Sequence, residues 1–275
     1  MRYRDSVYPL PNVWVRLAVA AGGLLTLIFL WWAVVTIVGS KAHNMFSNPV
    51  AVGRELVHYL FSGVLFSAVL GSVWRVLFGL VVGTLFGLFL ALLCALSGYL
   101  YSLIRALILL GLVMSKYGLY LIFTQWFPIS QMPSAPKVLL LVYVSFVLQF
   151  TWVYWRASAS IFGGAFADAE IATSSKQAYA DGATRMQGFR YILLPLMLPH
   201  SWLTLCFQTA ASWTILVYIE ESDPWKGTGY MLNLMMDIGV TPMMSWLVVI
   251  AVCSGITLIP LSIPYGIFTS WTRKH

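Results

Sequence analysis

The stretch "SVWRVLFGLVVGTLFGLFLALLCALS", Ser72–Ser97, decides the fold, because Arg75 is its only charged residue. A helix of about 20 apolar residues is long enough to cross the hydrocarbon core of a bilayer. The apolar run already begins at Leu65 and is too long for one upright crossing. We therefore predict a membrane-spanning helix within Leu65–Leu96 that is tilted or begins outside the membrane.

The rest of the chain has the same apolar character. Of its 275 residues, 60% are apolar and 9% are charged, and the mean hydropathy is +0.84. Soluble domains carry about 25% charged residues, so this chain lacks the composition of a water-soluble surface. No segment has the strict alternation of a barrel strand. We predict an all-α polytopic membrane protein with six transmembrane helices: Leu17–Val38, one within Leu65–Leu96, Leu103–Phe123, Val138–Trp155, Leu193–Ile219 and Met244–Phe268.

The predicted organisation is one transmembrane domain over 1–275, with the first helix at 17–38, an outer interfacial segment at 39–63 and core helices over 64–268. The first helix exceeds the apolar core of a signal peptide, about 7–15 residues, which predicts a retained anchor. In the outer segment, Val52, Leu56 and Leu60 recur at helical spacing and predict a short amphipathic helix.

The distribution of Lys and Arg predicts the orientation. The predicted inner segments hold nine basic residues: Arg2, Arg4, Arg16, Arg156, Lys176, Arg185, Arg190, Arg273 and Lys274. The predicted outer segments hold four: Lys41, Arg54, Lys137 and Lys226. Because basic residues concentrate on the cytoplasmic side of membrane proteins, both termini are predicted to be cytoplasmic. The net charge of +7 therefore calls for no nucleic-acid partner.

The sequence offers little to an enzyme or a metal site. Cys94, Cys206 and Cys253 all fall in apolar spans without a CxxC pair, which favours packing over disulfides or metal ligation. No H-E-x-x-H, Walker A loop or nucleophile elbow is present. We predict no catalytic residue and no metal ligand.

The longest charged, glycine-punctuated segment is "KQAYADGATRMQGFRYILLPLMLP", Lys176–Pro199. Its apolar residues recur at helical spacing, and Gly182 interrupts them at a point where the backbone can bend. Thr184 and Gln187 match the T-x-x-Q capping box, which predicts that a fresh short helix begins at Thr184. Two interpretations stay open: an amphipathic loop on lipid headgroups, or a rigid knob that fits a groove on a soluble partner.

This segment resembles the cytoplasmic signature of permease subunits of binding-protein-dependent ABC importers, which has the form E-A-A-x-x-x-G followed by L-P. In this chain the signature reads Lys176-Gln177-Ala178, Tyr179-Ala180-Asp181 and Gly182, and later Leu194-Pro195 and Pro199. Further stretches resemble the nitrate/sulfonate/bicarbonate (taurine-like) branch: Ser72–Ser97, Ala211–Glu220 and "KGTGYMLN", Lys226–Asn233. The chain departs from the signature where Lys176 and Gln177 stand in place of the usual Glu and Ala.

The resemblance implies a type I ABC importer permease fold, with a cytoplasmic coupling segment at 165–192, in a bacterial-type cytoplasmic (inner) membrane. Two permease subunits, identical or related, would form the translocation path, and a binding protein outside the membrane would deliver the solute. The elbow would sit in a cleft of an ABC ATPase subunit, which holds the ATP and Mg; this chain would bind no cofactor and catalyse no reaction. The implied ATPase-coupling residues are Lys176, Gln177, Ala178, Tyr179, Asp181, Gly182, Ala183 and Thr184.

Charges within the spans bear on the solute. A buried charge in a bilayer costs at least ~2.5–3.5 kcal/mol on insertion scales, so it should face a partner or an aqueous path. We predict a path that favours a small anion, such as a sulfonate, nitrate or bicarbonate, lined by Arg75, Lys116, Gln208, Trp213 and Glu220. The open alternatives are a structural ion pair between Lys116 and Glu220, and aromatic packing for Trp213.

Gly79, Gly83 and Gly87 form one small-residue face in the second span. Such a face lets two helices approach closely, either within one subunit or between two. Among other functions, a non-transporting membrane scaffold and a secondary carrier also remain open; a carrier would need coupling-ion carboxylates within its spans and usually carries inverted repeats.

Overall fold

The computed structural model describes residues 13–38, 47–96, 98–127, 132, 134–162, 173, 177–178, 180–188, 190–191, 194–221 and 227–272. Over these residues the chain is helical apart from short turns and linkers, and contains no strand. The helices are α1 Val13–Val38, α2 Pro49–Phe61, α3 Val64–Leu96, α4 Gly98–Val113, α5 Lys116–Trp126, α6 Ala135–Phe162, α7 Arg185–Gly188, α8 Leu194–Glu221, α9 Thr228–Ile238 and α10 Val240–Thr272.

Among the described residues, four helices are long and apolar enough to cross a membrane: Val64–Cys94, Ala135–Trp155, Ser201–Glu221 and Val240–Leu258. A fifth candidate is the pair α4 and α5, which is bent by 115°. The predicted unbroken helix over Leu103–Phe123 is therefore wrong, because the chain leaves the helix at Met114 and Ser115. The described residues thus give a multi-pass membrane protein with four or five candidate spans, and the sixth span stays a prediction.

The small-residue face of α3 packs directly against α6. A Cβ atom added to Gly79 would lie 2.5 Å from Leu141 Cβ, and one added to Gly83 would lie 2.6 Å from Ser145 Cβ. A Cβ atom on Gly87 would lie 2.9 Å from Gln149 Cβ. The two backbones can approach this closely only because glycine has no side chain. The face therefore serves packing within one subunit, as one of the two interpretations predicted.

These contacts also fix the direction of the helices. Residues of α3 and α6 increase in number together along the contact, from Gly79 beside Leu141 to Gly87 beside Gln149, so the two helices run parallel. The chain that leaves α3 must return to the level where α3 began before α6 can start. Since α4 and α5 lie between them in the chain, the return is made between the end of α3 and the start of α6.

The predicted outer amphipathic helix is α2, which begins after Asn48. The Asn48 side chain accepts a hydrogen bond from the Val50 amide, as a helix N-cap does. Val52 is buried, and Tyr59 packs on Trp246 of α10 with ring centroids 5.8 Å apart. The helix therefore braces the start of α10.

The glycine contact can be tested by a change of one methyl group. We expect Gly83→Ala to destabilise the protein by at least the ~1–3 kcal/mol typical of overpacking, because the added Cβ meets the backbone of α6 as well as Ser145. The measurement is the thermal midpoint of the protein in detergent, monitored as the loss of the monodisperse peak of the fluorescently tagged protein. Gly23→Ala in α1 is the matched control, since a Cβ there meets no atom within 4 Å. Equal stability of the two variants would contradict the proposed contact.

Candidate functional site

The carboxylate of Glu220 is fully buried near the end of α8 and holds the start of α9. Arg75 Nη1 lies 2.5 Å from Glu220 Oε1, and Ser72 Oγ donates to Oε2 at 2.8 Å. The amide of Gly229 donates to Oε2 at 3.1 Å, and that of Thr228 donates to Ser72 Oγ at 3.0 Å. The first amides of a helix lack hydrogen-bond partners within the helix and carry partial positive charge. The carboxylate therefore accepts a hydrogen bond that α9 cannot make internally, and its negative charge stabilises the start of this helix.

The glycines around Thr228 are required by this close approach. A Cβ atom on Gly227 would run into the Glu220 carboxyl group. One on Gly229 would lie 2.8 Å from Glu220 Cβ and would also meet the Val217 carbonyl oxygen. The start of α9 can therefore lie against Glu220 only with glycine at these two positions.

Arg75 extends the contact to α6. Its Nη2 and Nε atoms donate to Ser134 Oγ, one residue before α6, at 3.3 and 3.4 Å. We call Ser72, Arg75, Ser134, Glu220, Thr228 and Gly229 the Glu220 cluster. It joins α3, α6, α8 and α9 at one end of the helices. The predicted ion pair between Lys116 and Glu220 is wrong, because Arg75 is the basic partner of Glu220.

Lys116 instead serves the break between α4 and α5. It is the first residue of α5, and its ammonium group donates to the carbonyl oxygens of Gly111 and, at 3.4 Å, Met114. Carbonyls at the end of a helix lack amide partners, and a positive charge there is favourable. The Lys116 side chain is half-buried. Its ammonium group therefore serves as the hydrogen-bond donor for carbonyl oxygens at the end of α4, which the break leaves without amide partners.

Two other predicted path residues lie inside the helix packing. Gln208 Nε2 donates to Gln149 Oε1 at 2.9 Å, and Thr84 Oγ1 donates to Gln208 Oε1 at 2.8 Å. Trp213 Nε1 donates to Thr257 Oγ1 at 2.9 Å. Gln208 and Trp213 are buried and link α8 to α3, α6 and α10. Their placement in a translocation path stays a prediction.

Four residues of these contacts were not among the predicted site residues: Ser72, Thr84, Ser134 and Gln149. A signal was present, because polar side chains inside spans tend to hydrogen-bond across helices. Matching Thr84 and Gln149 to Gln208 by their depth would have suggested this contact. Ser134 has no comparable signal, since its role depends on where the chain enters α6.

The predicted glycine elbow is confirmed in the residues described. Gly182 has φ +88°, and the Ala183 amide donates to the Ala178 carbonyl at 2.9 Å. This bond and the positive φ at Gly182 are those of a Schellman motif, which ends the helical turn before Gly182. The predicted capping box also forms. The Thr184 amide donates to Gln187 Oε1 at 2.8 Å, and the Gln187 amide donates to Thr184 Oγ1 at 3.3 Å, at the start of α7.

The surface of the elbow is available for contact. Gln177, Asp181, Gly182, Thr184 and Gln187 are all exposed. Lys176 and Tyr179, two of the predicted coupling residues, lie outside the described residues. The elbow is therefore a short, locally fixed unit with hydrogen bonds on both sides of the bend and polar groups on its surface.

Comparison with known proteins supports the fold. No protein-family model and no curated protein matches the chain. Among solved structures, a chain of the crystal structure of an amino acid ABC transporter with histidines is similar, with a TM-score of 0.56 and 15% identity. The match covers 78% of this chain and 96% of that chain. The predicted architecture is thus confirmed at a coarse level, as the fold of an ABC transporter chain. The nitrate/sulfonate/bicarbonate branch stays a prediction.

The Arg75–Glu220 pair makes a prediction about stability. Removing one partner of a buried ion pair leaves an uncompensated charge and costs about 3–5 kcal/mol, whereas replacing both is often neutral. We expect Arg75→Met and Glu220→Gln each to lower the thermal midpoint in detergent, and the double variant to be more stable than either single variant. A double variant that loses the full sum of the two single effects would contradict the pairing.

Proposed function

We propose that this chain is the membrane-spanning permease subunit of an ATP-driven importer. With a second permease subunit it forms the path for a small anionic solute, which a binding protein delivers outside the membrane. A partner subunit hydrolyses the ATP. The observation that carries the proposal is the exposed glycine elbow at Gly182, between α6 and α8, in a chain with the fold of an ABC transporter chain.

The elbow suits the transmission of movement because its shape is fixed before any partner binds. The Schellman motif ends one helical turn, and the capping box of Thr184 and Gln187 starts the next. A preorganised element loses little conformational freedom on docking. The segment also connects α6 and α8, which Gln149 and Gln208 join within the membrane. A push on the elbow would therefore reach helices that are coupled to each other.

The proposed preference for an anion depends on Lys116. Arg75 is paired with Glu220 and contributes little net charge to a path. Lys116 is only half-buried, and its contacts are carbonyl oxygens rather than a carboxylate. Its positive charge is therefore not cancelled by a neighbouring acid in these contacts. The class of anion follows the resemblance to the nitrate/sulfonate/bicarbonate branch.

The docking role of the elbow is tested by Gly182→Glu. Gly182 has a positive φ that costs a side-chain-bearing residue about 1–3 kcal/mol, and glutamate also adds a charge to the proposed contact surface. We expect the tagged wild-type chain, purified in mild detergent, to bring an ATPase subunit in stoichiometric amount, and the variant to bring none.

Gly53→Glu is the matched control, because Gly53 also has open space around its Cβ position but lies in α2. This control should retain the ATPase. If the wild-type chain brings no ATPase under several gentle conditions, the importer proposal fails, and a membrane scaffold or a secondary carrier becomes the better account. Solute uptake that requires both ATP and the binding protein separates these classes.

The anion preference is tested by Lys116→Met in vesicles reconstituted with the ATPase and the binding protein. A hydrogen bond to a charged group is worth about 1.5–3 kcal/mol, so loss of the ammonium group should slow anion transport by about tenfold or more. Lys116→Arg keeps the charge and a donor for the α4 carbonyls, and should retain most of the rate. An unchanged rate in Lys116→Met would exclude this role.

A further inference from the structure

A second group of polar side chains lies between α3, α6 and α8, away from the Glu220 cluster. Thr84 Oγ1 donates a hydrogen bond to Gln208 Oε1, and Gln208 Nε2 donates to Gln149 Oε1. This chain of hydrogen bonds therefore runs from α3 through α8 to α6, and it ends at the amide nitrogen of Gln149.

Two serines lie one helical turn from this chain. Ser145 precedes Gln149 by four residues in α6, and Ser212 follows Gln208 by four residues in α8. Residues four positions apart are neighbours on one face of a helix, so each serine lies on the same face as its glutamine. We call Thr84, Ser145, Gln149, Gln208 and Ser212 the central polar layer.

The two serines share one level, at the middle of the membrane-spanning part. Gln149 bonds to Gln208, whereas Leu140 packs with Ile219 in one buried cluster, so α6 and α8 run in opposite directions. One turn back along α6 is therefore level with one turn forward along α8. Ser145 is the middle residue of the 21-residue α6 span, about 15 Å from either end at about 1.5 Å per residue.

Three polar atoms of this layer have no hydrogen-bond partner among the residues that the structure describes: Ser145 Oγ, Ser212 Oγ and Gln149 Nε2. All three side chains are fully buried, with 0% exposed. A hydroxyl in a helix can donate to the carbonyl four residues earlier, as Thr209 does to Leu205 at 2.8 Å, but neither serine does so. Unsatisfied polar groups are costly at this depth, so the three atoms call for a common partner.

The chemistry of the three atoms selects a neutral partner that can both donate and accept hydrogen bonds. A serine hydroxyl does both, and the open end of the Gln149 amide is a donor. Reversing both amides of the chain would leave the Gln149 oxygen open instead, so one end of this amide lacks a partner in either orientation. The residues of the layer are all uncharged, so an ion would enter the middle of the membrane without a counter-charge.

The close packing of α3 on α6 selects a small partner. A Cβ atom on Gly83 would lie 2.6 Å from Ser145 Cβ, and one on Gly87 would lie 2.9 Å from Gln149 Cβ. A bulky solute does not fit between helices that approach this closely. Buried water molecules typically make about three hydrogen bonds to polar groups that are otherwise unsatisfied, and this layer offers three such groups.

We propose that one water molecule binds in the central polar layer and bridges Gln149 to Ser145 and Ser212. The water accepts a hydrogen bond from the Gln149 amide and shares one with each hydroxyl, which joins α6 to α8 at the middle of the membrane. This inference goes beyond the proposed function and does not rest on it. Because the elbow connects α6 to α8, a movement of the elbow would act on the joint that this water holds.

The test is solid-state NMR of the full chain in lipid bilayers, with isotope-labelled glutamine side chains. It detects magnetisation transferred from water to the side-chain amide of Gln149, whose signal is identified by its absence in Gln149→Leu. We expect a direct water cross peak at this amide in the wild-type chain. The double variant Ser145→Ala/Ser212→Ala should lose the cross peak, because one remaining partner does not hold a buried water.

Thr209→Val is the matched control. It removes a buried hydroxyl from α8 whose hydrogen bond is already made within the helix, so the cross peak should remain. Absence of the cross peak in the wild-type chain would overturn the proposal without any variant. A cross peak that persists in the double variant, or one that Thr209→Val also removes, would overturn the assignment to the two serines.

A second measurement distinguishes an internal water from an open aqueous passage. Ser212→Cys should resist a membrane-impermeant maleimide in the folded protein, because the side chain at this position is fully buried. Labelling would overturn the proposal, since the layer would then open to bulk water. Recovery of an ATPase subunit tests only the proposed function, so the two proposals succeed or fail separately.

Discussion

The carboxylate of Glu220 has to be neutralised away from water, and the arrangement of the helices at one end of the protein depends on how this is done. Arg75 supplies the charge, and Ser72 and the first amides of α9 supply hydrogen bonds. Arg75 and Ser72 come from α3 and the amides from α9, so α3, α8 and α9 cannot shift apart without leaving a polar group unsatisfied in an apolar environment. Backbone carbonyl groups away from water also need hydrogen-bond donors. The ammonium group of Lys116 is the donor for carbonyls at the end of α4 that lack amide partners because the helix breaks before α5.

What the sequence could predict was local. The capping box at Thr184 and the bend at Gly182 were predictable because the residues that form them are within a few positions of each other. The close contact at Gly83 was predictable as a contact, since glycine at every fourth position has few other uses in a span. The elbow of the candidate site was thus largely predictable, whereas its polar clusters were not.

What the sequence could not predict was the choice of distant partners. Lys116 and Arg75 are both basic residues in apolar surroundings, and only the packing of α3 against α8 decides that Arg75 reaches Glu220. The break at Ser115 was missed for a related reason. A straight helix and a broken one have the same overall apolarity, so composition does not reveal the break. In the sequence, Lys116 is indistinguishable from a buried lysine that forms an ion pair with a carboxylate.

The ion pair between Arg75 and Glu220 also has a consequence for biosynthesis. The two residues are separated by 145 positions in the chain. At about 5–20 residues per second, Arg75 is made about 7 to 30 s before its partner. The glycine face of α3 likewise stays uncovered until α6 has been made, and α6 is the third helix to follow it in the chain. For that time the nascent α3 carries an uncompensated charge and an uncovered groove. The insertion machinery or neighbouring lipid headgroups must shelter both until the rest of the chain arrives.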